Sequence, residues 1–124
     1  MEITNPPTAD CVMRVHRATH LGILEARQFI ATQPAQLTER ILRAAEIQAG
    51  VRPLRDPIED APATAAAVAA ALARAAVETD ADLRPGYFRG RCYAEWHRAE
   101  RILRQDFGLE WYSPARMNPG CCFD

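Results

Sequence analysis

His16 and His20 stand four residues apart, the spacing that sets two imidazoles on one helix face, as in a His-x-x-x-His metal pair. Cys11 or the tail cysteines Cys121 and Cys122 could complete such a site. Gly22 implies a turn close to His20, however. The stronger reading is a pair of surface histidines near a helix end, where an imidazole favours the negative pole of the helix dipole. Two histidines with no Cys-x-x-Cys partner carry little metal information. Cys121 and Cys122 follow Asn118-Pro119-Gly120. A reactive thiol needs a cation or a helix start to lower its pKa. Arg116 is near in sequence and His97 could approach in space, so a Cys–His nucleophilic pair is conceivable. Nothing supplies a third, orienting group, and inert thiols are the stronger expectation.

A third constellation is basic. Arg84, Arg89, Arg91, Arg98, Arg101 and Arg104 crowd into one stretch opposed only by Glu95 and Glu100, six positive against two negative for a local balance of +4. A basic helix face can contact phosphates or an acidic protein surface. The plainer alternative is a solvated face with ion pairs such as Glu100–Arg104, each worth about 0.3–0.5 kcal/mol. The candidate partner-binding residues are Arg91, Arg98, Arg101 and Arg104 on this helix, with Trp111 and Tyr112 on the tail beyond it. Tyr93 and Trp96 lie opposite Arg91 and Arg98 and are expected in the core, Trp96 as its large buried aromatic.

What is missing narrows the chemistry further. All 15 basic residues are arginine, so Schiff-base and lysine general-base mechanisms have no residue to use. The absence of lysine, together with abundant alanine, suits a GC-rich genome; guanidinium forks wanted for carboxylate or phosphate contacts are the functional alternative. There is no Gly-x-x-x-x-Gly-Lys, no Gly-x-Gly-x-x-Gly and no Gly-x-Ser-x-Gly, and the lone serine is Ser113, followed by Pro114. Glu95 and Glu100 are not four apart, so no helical carboxylate pair for a metal is encoded there. No cofactor or metal is expected, and no enzymatic activity.

The 124 residues, 48% hydrophobic and 25% charged, suit one small helical domain over 1–124. The net charge of −1 excludes a polybasic nucleic-acid coat and an acidic solvating tail. No apolar run approaches the roughly 20 residues that span a bilayer. The first residues, Met1-Glu2-Ile3-Thr4-Asn5-Pro6-Pro7, lack the basic and apolar regions of a signal peptide, so a cytoplasmic location is expected. Four cysteines are few for a disulfide-stapled scaffold, and free thiols are expected.

The elements that must position these groups read as an all-α bundle of about five helices with an irregular, aromatic-containing C-terminal tail. Asp10 is a candidate N-cap for a helix over about 11–19, with Cys11, Val12 and Val15 inward. Gly22 and Glu25 frame a capping box for a second helix over about 23–32, burying Ile23, Ala26, Phe29 and Ile30. Pro34 suits the first turn of a third helix reaching about Ala49, with Leu37, Ile41, Ala44 and Ala45 on one face. Pro53, Pro57 and Pro62 exclude a regular helix over 51–62 and mark an internal linker. Asp60 can cap the next helix, with Pro62 in its first turn. Eleven alanines over 61–76 favour that helix strongly. Val68, Leu72 and Ala75 form its stripe. Glu78, Asp80 and Asp82 sit where the helix dipole disfavours acids, so fraying is expected near Thr79. Pro85-Gly86 should start a last long helix reaching Phe107, with Tyr93, Trp96, Ala99, Leu103 and Phe107 inward and Gly108 as its C′ residue. Trp111, Tyr112, Met117 and Phe123 should fold the tail back over the helices.

Residues 15–34 resemble the helical hairpin in the C-terminal domain of ribosomal protein L7/L12. The similar residues are Ala18-Thr19-His20-Leu21-Gly22, the Glu25-Ala26-Arg27 triplet and Pro34. His20 stands at the family's turn glycine, where a left-handed backbone costs more. Leu24 stands at a lysine that helps that family recruit its partners. The resemblance implies a helical hairpin presenting a protein-binding surface; it implies no ribosomal role. The expected function is therefore non-enzymatic binding of another macromolecule, most readily a protein. The size and the lysine-free composition suit a bacterial or phage accessory protein, inhibitors of nucleic-acid-processing complexes included, as the expected setting. Nucleic-acid binding through the Arg-rich last helix is the first alternative, and a metal or thiol site at His16, His20, Cys121 and Cys122 the second. Oligomeric state stays open.

Overall fold

Thr8 rather than Asp10 starts the first helix in the computed structural model, which describes residues 8–82, 90–121 and 123. Its hydroxyl accepts the Cys11 N–H at 3.2 Å, and α1 spans Ala9–Thr19. Asp10 then falls in the first turn, where its charge suits the positive helix end. His20 closes α1 with φ 63°, a left-handed residue donating its N–H to the His16 carbonyl. α2 spans Ile23–Thr32, and the Gly22 N–H is taken by Glu25 Oε1 at 3.1 Å, the glutamate half of the expected capping box. α3 spans Ala35–Ile47 after Pro34. The described residues contain helices and turns and no strand, so the fold is all-α.

The proline-rich stretch is packed rather than free. Leu54 and Asp56 are fully buried, and Pro57–Glu59 forms a single 3₁₀ turn capped by Asp56. Asp60 ends that turn instead of starting the next helix, and α4 spans Ala65–Asp82. Its buried positions are Val68, Ala71, Ala75 and Thr79, so the seam passes beside Leu72 rather than through it. The expected fraying at Thr79 does not occur. The helix runs on because the acids at its end meet arginines of the antiparallel neighbour, α5, which spans Arg91–Ile102. The expected start of that helix at Pro85-Gly86 lies outside the described residues. The chain continues through a π turn, Leu103–Phe107, to Gly108 at φ 65°. Leu109 then donates its N–H to the Leu103 carbonyl at 3.0 Å, a Schellman-like closure lengthened by one residue because the last turn is π.

Three clusters make the interior. Val12, Val15, Ala26 and Ile30 join α1 to α2. Leu37, Ile41, Ala44, Leu54, Tyr112 and Met117 gather around α3 and the short α6, Pro114–Met117. Val68, Ala71, Ala75, Ala99, Ile102, Leu103 and Trp111 lie between α4 and α5. Consecutive residues Trp111 and Tyr112 plug two different clusters, so the tail is the wedge joining the α1–α3 group to the α4–α5 pair. Tyr93 and Phe107 are exposed and Trp96 is half-buried, edge-on to Tyr93 and Phe123. The inward stripe of the last helix thus turns on Ala99, Ile102 and Leu103, and the core tryptophan is Trp111 instead of Trp96.

Carboxylates and one amide hold the wedge. Asp56 Oδ2 accepts the Tyr112 N–H at 2.9 Å, Glu59 accepts the Trp111 indole N–H at 3.0 Å, and Glu100 accepts the Ser113 N–H at 3.2 Å. Asn118 accepts from the Leu54 N–H and donates to the Leu54 carbonyl, both at 2.8 Å, tying the tail to the proline-rich stretch. Burial pushes the Glu59 and Glu100 carboxyls above their ordinary pKa, the hydrogen bonds from Trp111 and Ser113 opposing it in part. A carboxyl raised by folding binds its proton more tightly in the folded chain, so its contribution is most favourable below its unfolded pKa and is lost as pH rises through the folded one. Glu59→Gln keeps an acceptor for Trp111 without the charge. It should therefore unfold at higher denaturant than the parent at pH 7, and the gap should close as pH falls towards about 4. Parallel urea titrations across that range measure this; a gap independent of pH would refute it.

Candidate functional site

The four arginines expected to face a partner are engaged within the chain. Arg91 pairs with Asp80 and, at 2.9 Å, with Glu95. Arg98 reaches Asp82 at 2.5 Å, Arg101 reaches Glu78 at 2.8 Å and Arg104 reaches Glu110 at 3.1 Å. The acids that end α4 and the arginines of α5 close a seam between antiparallel helices. Each exposed pair is worth only about 0–1 kcal/mol, but together they neutralise the face that the sequence presents as basic. Trp111 and Tyr112 are each 2% exposed. Tyr112 lies between the guanidinia of Arg40 and Arg116, 5.2 and 4.8 Å from its ring centre, and its hydroxyl bonds Gln36. Of the six residues expected to form a docking surface, Trp111 and Tyr112 are thus buried, while Arg91, Arg98, Arg101 and Arg104 stay at the surface in ion pairs within the chain.

The histidines separate as well. His16 Nδ1 lies 2.5 Å from the Leu21 carbonyl, bracing the α1–α2 turn, whereas His20 is exposed on that turn. Among the described residues no group of three or more His, Cys, Asp or Glu side chains is placed to hold a metal ion. Cys11, Cys92 and Cys121 carry free thiols, and Cys122 lies outside the described residues. Burial raises the Cys11 pKa, the direction opposite to activation. Cys121 Sγ sits 3.7 Å from the Arg52 guanidinium.

Pairing divides the described arginines into two sets. Arg40, Arg55, Arg74, Arg91, Arg98, Arg101, Arg104 and Arg116 all form ion pairs. Arg14, Arg17, Arg27, Arg43 and Arg52 form none among the described residues. Arg14, Arg17 and Arg52 line one groove of about 360 Å³ between α1 and α3. Arg14 and Arg17, three apart on α1, project from the same side, with Ala18 one turn beyond Arg14. Leu42, Ala45 and Glu46 face them from α3, and Leu54 closes the floor. Arg52 is fixed by donating to the Thr19 carbonyl at 3.1 Å, the C-terminal end of α1. His20 and Gly50 complete the rim. The two described non-glycine residues at positive φ, His20 and Ala49 (φ 51°), flank this groove. Such backbone costs of order 1 kcal/mol or more per residue, a strain that persists only where its surroundings enforce it.

Chemically the groove offers three guanidinia against one carboxylate, over an aliphatic floor. Small residues at Ala18, Ala45 and Gly50 give it depth. Sequence reasoning missed it because Arg14, Arg17 and Arg52 form no run. The one available signal was local: α1 carries Arg14 and Arg17 on one side, with Asp10 four residues before Arg14 and no acid four residues from Arg17.

This is a small all-α protein whose described helices include none long and apolar enough to cross a membrane. In comparison with known proteins it matches no family model, no curated protein and no solved structure. α1 and α2 follow one another across the turn at His20–Gly22, with Leu24 80% exposed.

Proposed function

We propose that this chain is a non-enzymatic binding protein that acts in the cytoplasm by gripping a second protein through the α1–α3 groove. The observation that carries the reading is the concentration there of three arginines that form no ion pair among the described residues, while Arg91, Arg98 and Arg101 of α5 are paired within the chain. Arginine forks over an aliphatic floor hold a ligand by charge and burial together. Free thiols at Cys11, Cys92 and Cys121 accord with a reducing compartment. The arginine-only, alanine-rich composition accords with a bacterial or phage accessory role, inhibition of a nucleic-acid-processing complex included.

Charge reversal tests the reading. Arg14→Glu/Arg17→Glu alters two exposed side chains and should leave stability within about 0.5 kcal/mol per site. Used as bait in extract of the native host, the parent chain should retain a protein that this variant retains about tenfold less or worse. Equal retention by both, at matched melting temperature, would move the binding surface elsewhere.

A further inference from the structure

We infer that the occupant of the α1–α3 groove is an acidic peptide segment of the partner in which an aliphatic side chain lies between two carboxylates. The inference rests on the groove being the protein-binding surface and names what that surface reads.

Charge complementarity selects an anion. Among the described lining residues Arg14, Arg17 and Arg52 face one carboxylate, Glu46, a local excess of two positive charges. Guanidinia bind carboxylates through paired, parallel hydrogen bonds, so spaced carboxylates can engage rim arginines at once. The floor selects the rest. A fully charged or small inorganic anion would leave Leu42 and Ala45 wet, whereas an aliphatic side chain set on them buries apolar surface at about 25 cal/mol per Å². The volume, about 360 Å³, is at the low end for a drug-sized ligand; it admits a few side chains and no folded element. Single-stranded nucleic acid is disfavoured by the same lining. Such sites stack bases on aromatic rings, and among the described residues no Phe, Tyr or Trp lines this groove.

Nuclear magnetic resonance of the isotope-labelled full chain tests this with defined probes. A short peptide in which two glutamates flank a leucine should shift the amide signals of Arg14, Arg17, Leu42 and Ala45 saturably. Replacing its leucine with alanine should weaken binding about threefold or more, the worth of roughly one buried methylene, because the open floor covers only part of the side chain. Replacing its glutamates with lysines should abolish the shifts. Arg17→Glu should weaken the leucine peptide about tenfold, and Arg17→Gln less, since it removes a charge without adding the opposite one. Equal or tighter binding of inorganic phosphate or of an oligothymidylate at the same signals would overturn the inference and assign the groove to phosphate. So would the absence of any shift with the leucine peptide. If groove-dependent capture from extract persists while the peptides fail, the occupant class is wrong and the protein-binding reading stands; if capture ignores the groove, that reading falls with it.

Discussion

Asp56→Ala should cost about 3–5 kcal/mol of folding free energy, a large share of the 5–15 kcal/mol that holds a small domain together. Asp56 is fully buried. Its Oδ2 accepts from Arg40 Nη1 at 2.6 Å and from the Tyr112 N–H at 2.9 Å, and its Oδ1 accepts from the Ile58 N–H at 3.2 Å. Arg40 also donates to the Glu110 carbonyl at 2.5 Å. One carboxylate thus joins α3, the 3₁₀ turn and the tail. Its removal leaves a largely buried guanidinium without its counter-charge and takes an acceptor from two backbone N–H groups. Asp56→Asn keeps an acceptor oxygen and should cost less. Arg40→Met/Asp56→Leu removes both charges and should recover part of the loss, because the penalty lies mainly in the stranded charge. Urea unfolding followed by circular dichroism, run as a double-mutant cycle, measures each step. A cost under about 1 kcal/mol for Asp56→Ala would mean the carboxylate is incidental to the fold.

The helices were legible because local signals set them. The Gly22–Glu25 pairing, Pro34 before α3 and Gly108 after the last turn act within four residues, and the apolar spacing of Leu37, Ile41 and Ala44 marks a buried face without reference to any partner. The departures have a common cause. The end of α4 looked frayed because acids oppose a helix C-terminus locally; Arg91, Arg98 and Arg101 reverse that sign from another helix. Trp96 looked buried on helical periodicity, but burial depends on which face meets a neighbour. The alanine seam of α4 meets Ala99 and Ile102 fully, while Trp96 packs only at its margin and Tyr93 is exposed.

The candidate site was less legible than the fold for the same reason. A dense run of arginines is visible in the sequence, while the acids that neutralise it are scattered among Glu78, Asp80, Asp82, Glu95 and Glu110. Arg14, Arg17 and Arg52 are inconspicuous one by one. They become a site only when α1 and α3 pack together and the proline-rich stretch returns beneath them. Charge density along a chain thus overstates the faces that fold against opposite charge, and understates those assembled from separate elements.

Trp111→Ala should be as damaging as the loss of Asp56, about 3–5 kcal/mol, and for a different reason. The indole is 2% exposed and stands among Val68, Ala71, Ala75, Ala99, Ile102 and Leu103. Three of those neighbours are alanines on two helices whose close approach is secured by their own small side chains. Alanine has no rotamer with which to move into a vacancy, so the cavity should stay open and its cost should fall at the high end of the range. Glu59 would also lose the indole N–H while remaining largely buried. Trp96→Ala removes a half-buried ring with edge contacts to Tyr93 and Phe123 and should cost only about 1–2 kcal/mol. The contrast is the decisive measurement, since both substitutions delete the same atoms and differ only in surroundings. Paired thermal melts in which Trp96→Ala proves the more damaging would place the hydrophobic centre on the α5 edge and remove the tail from its role as the wedge between the two helical groups.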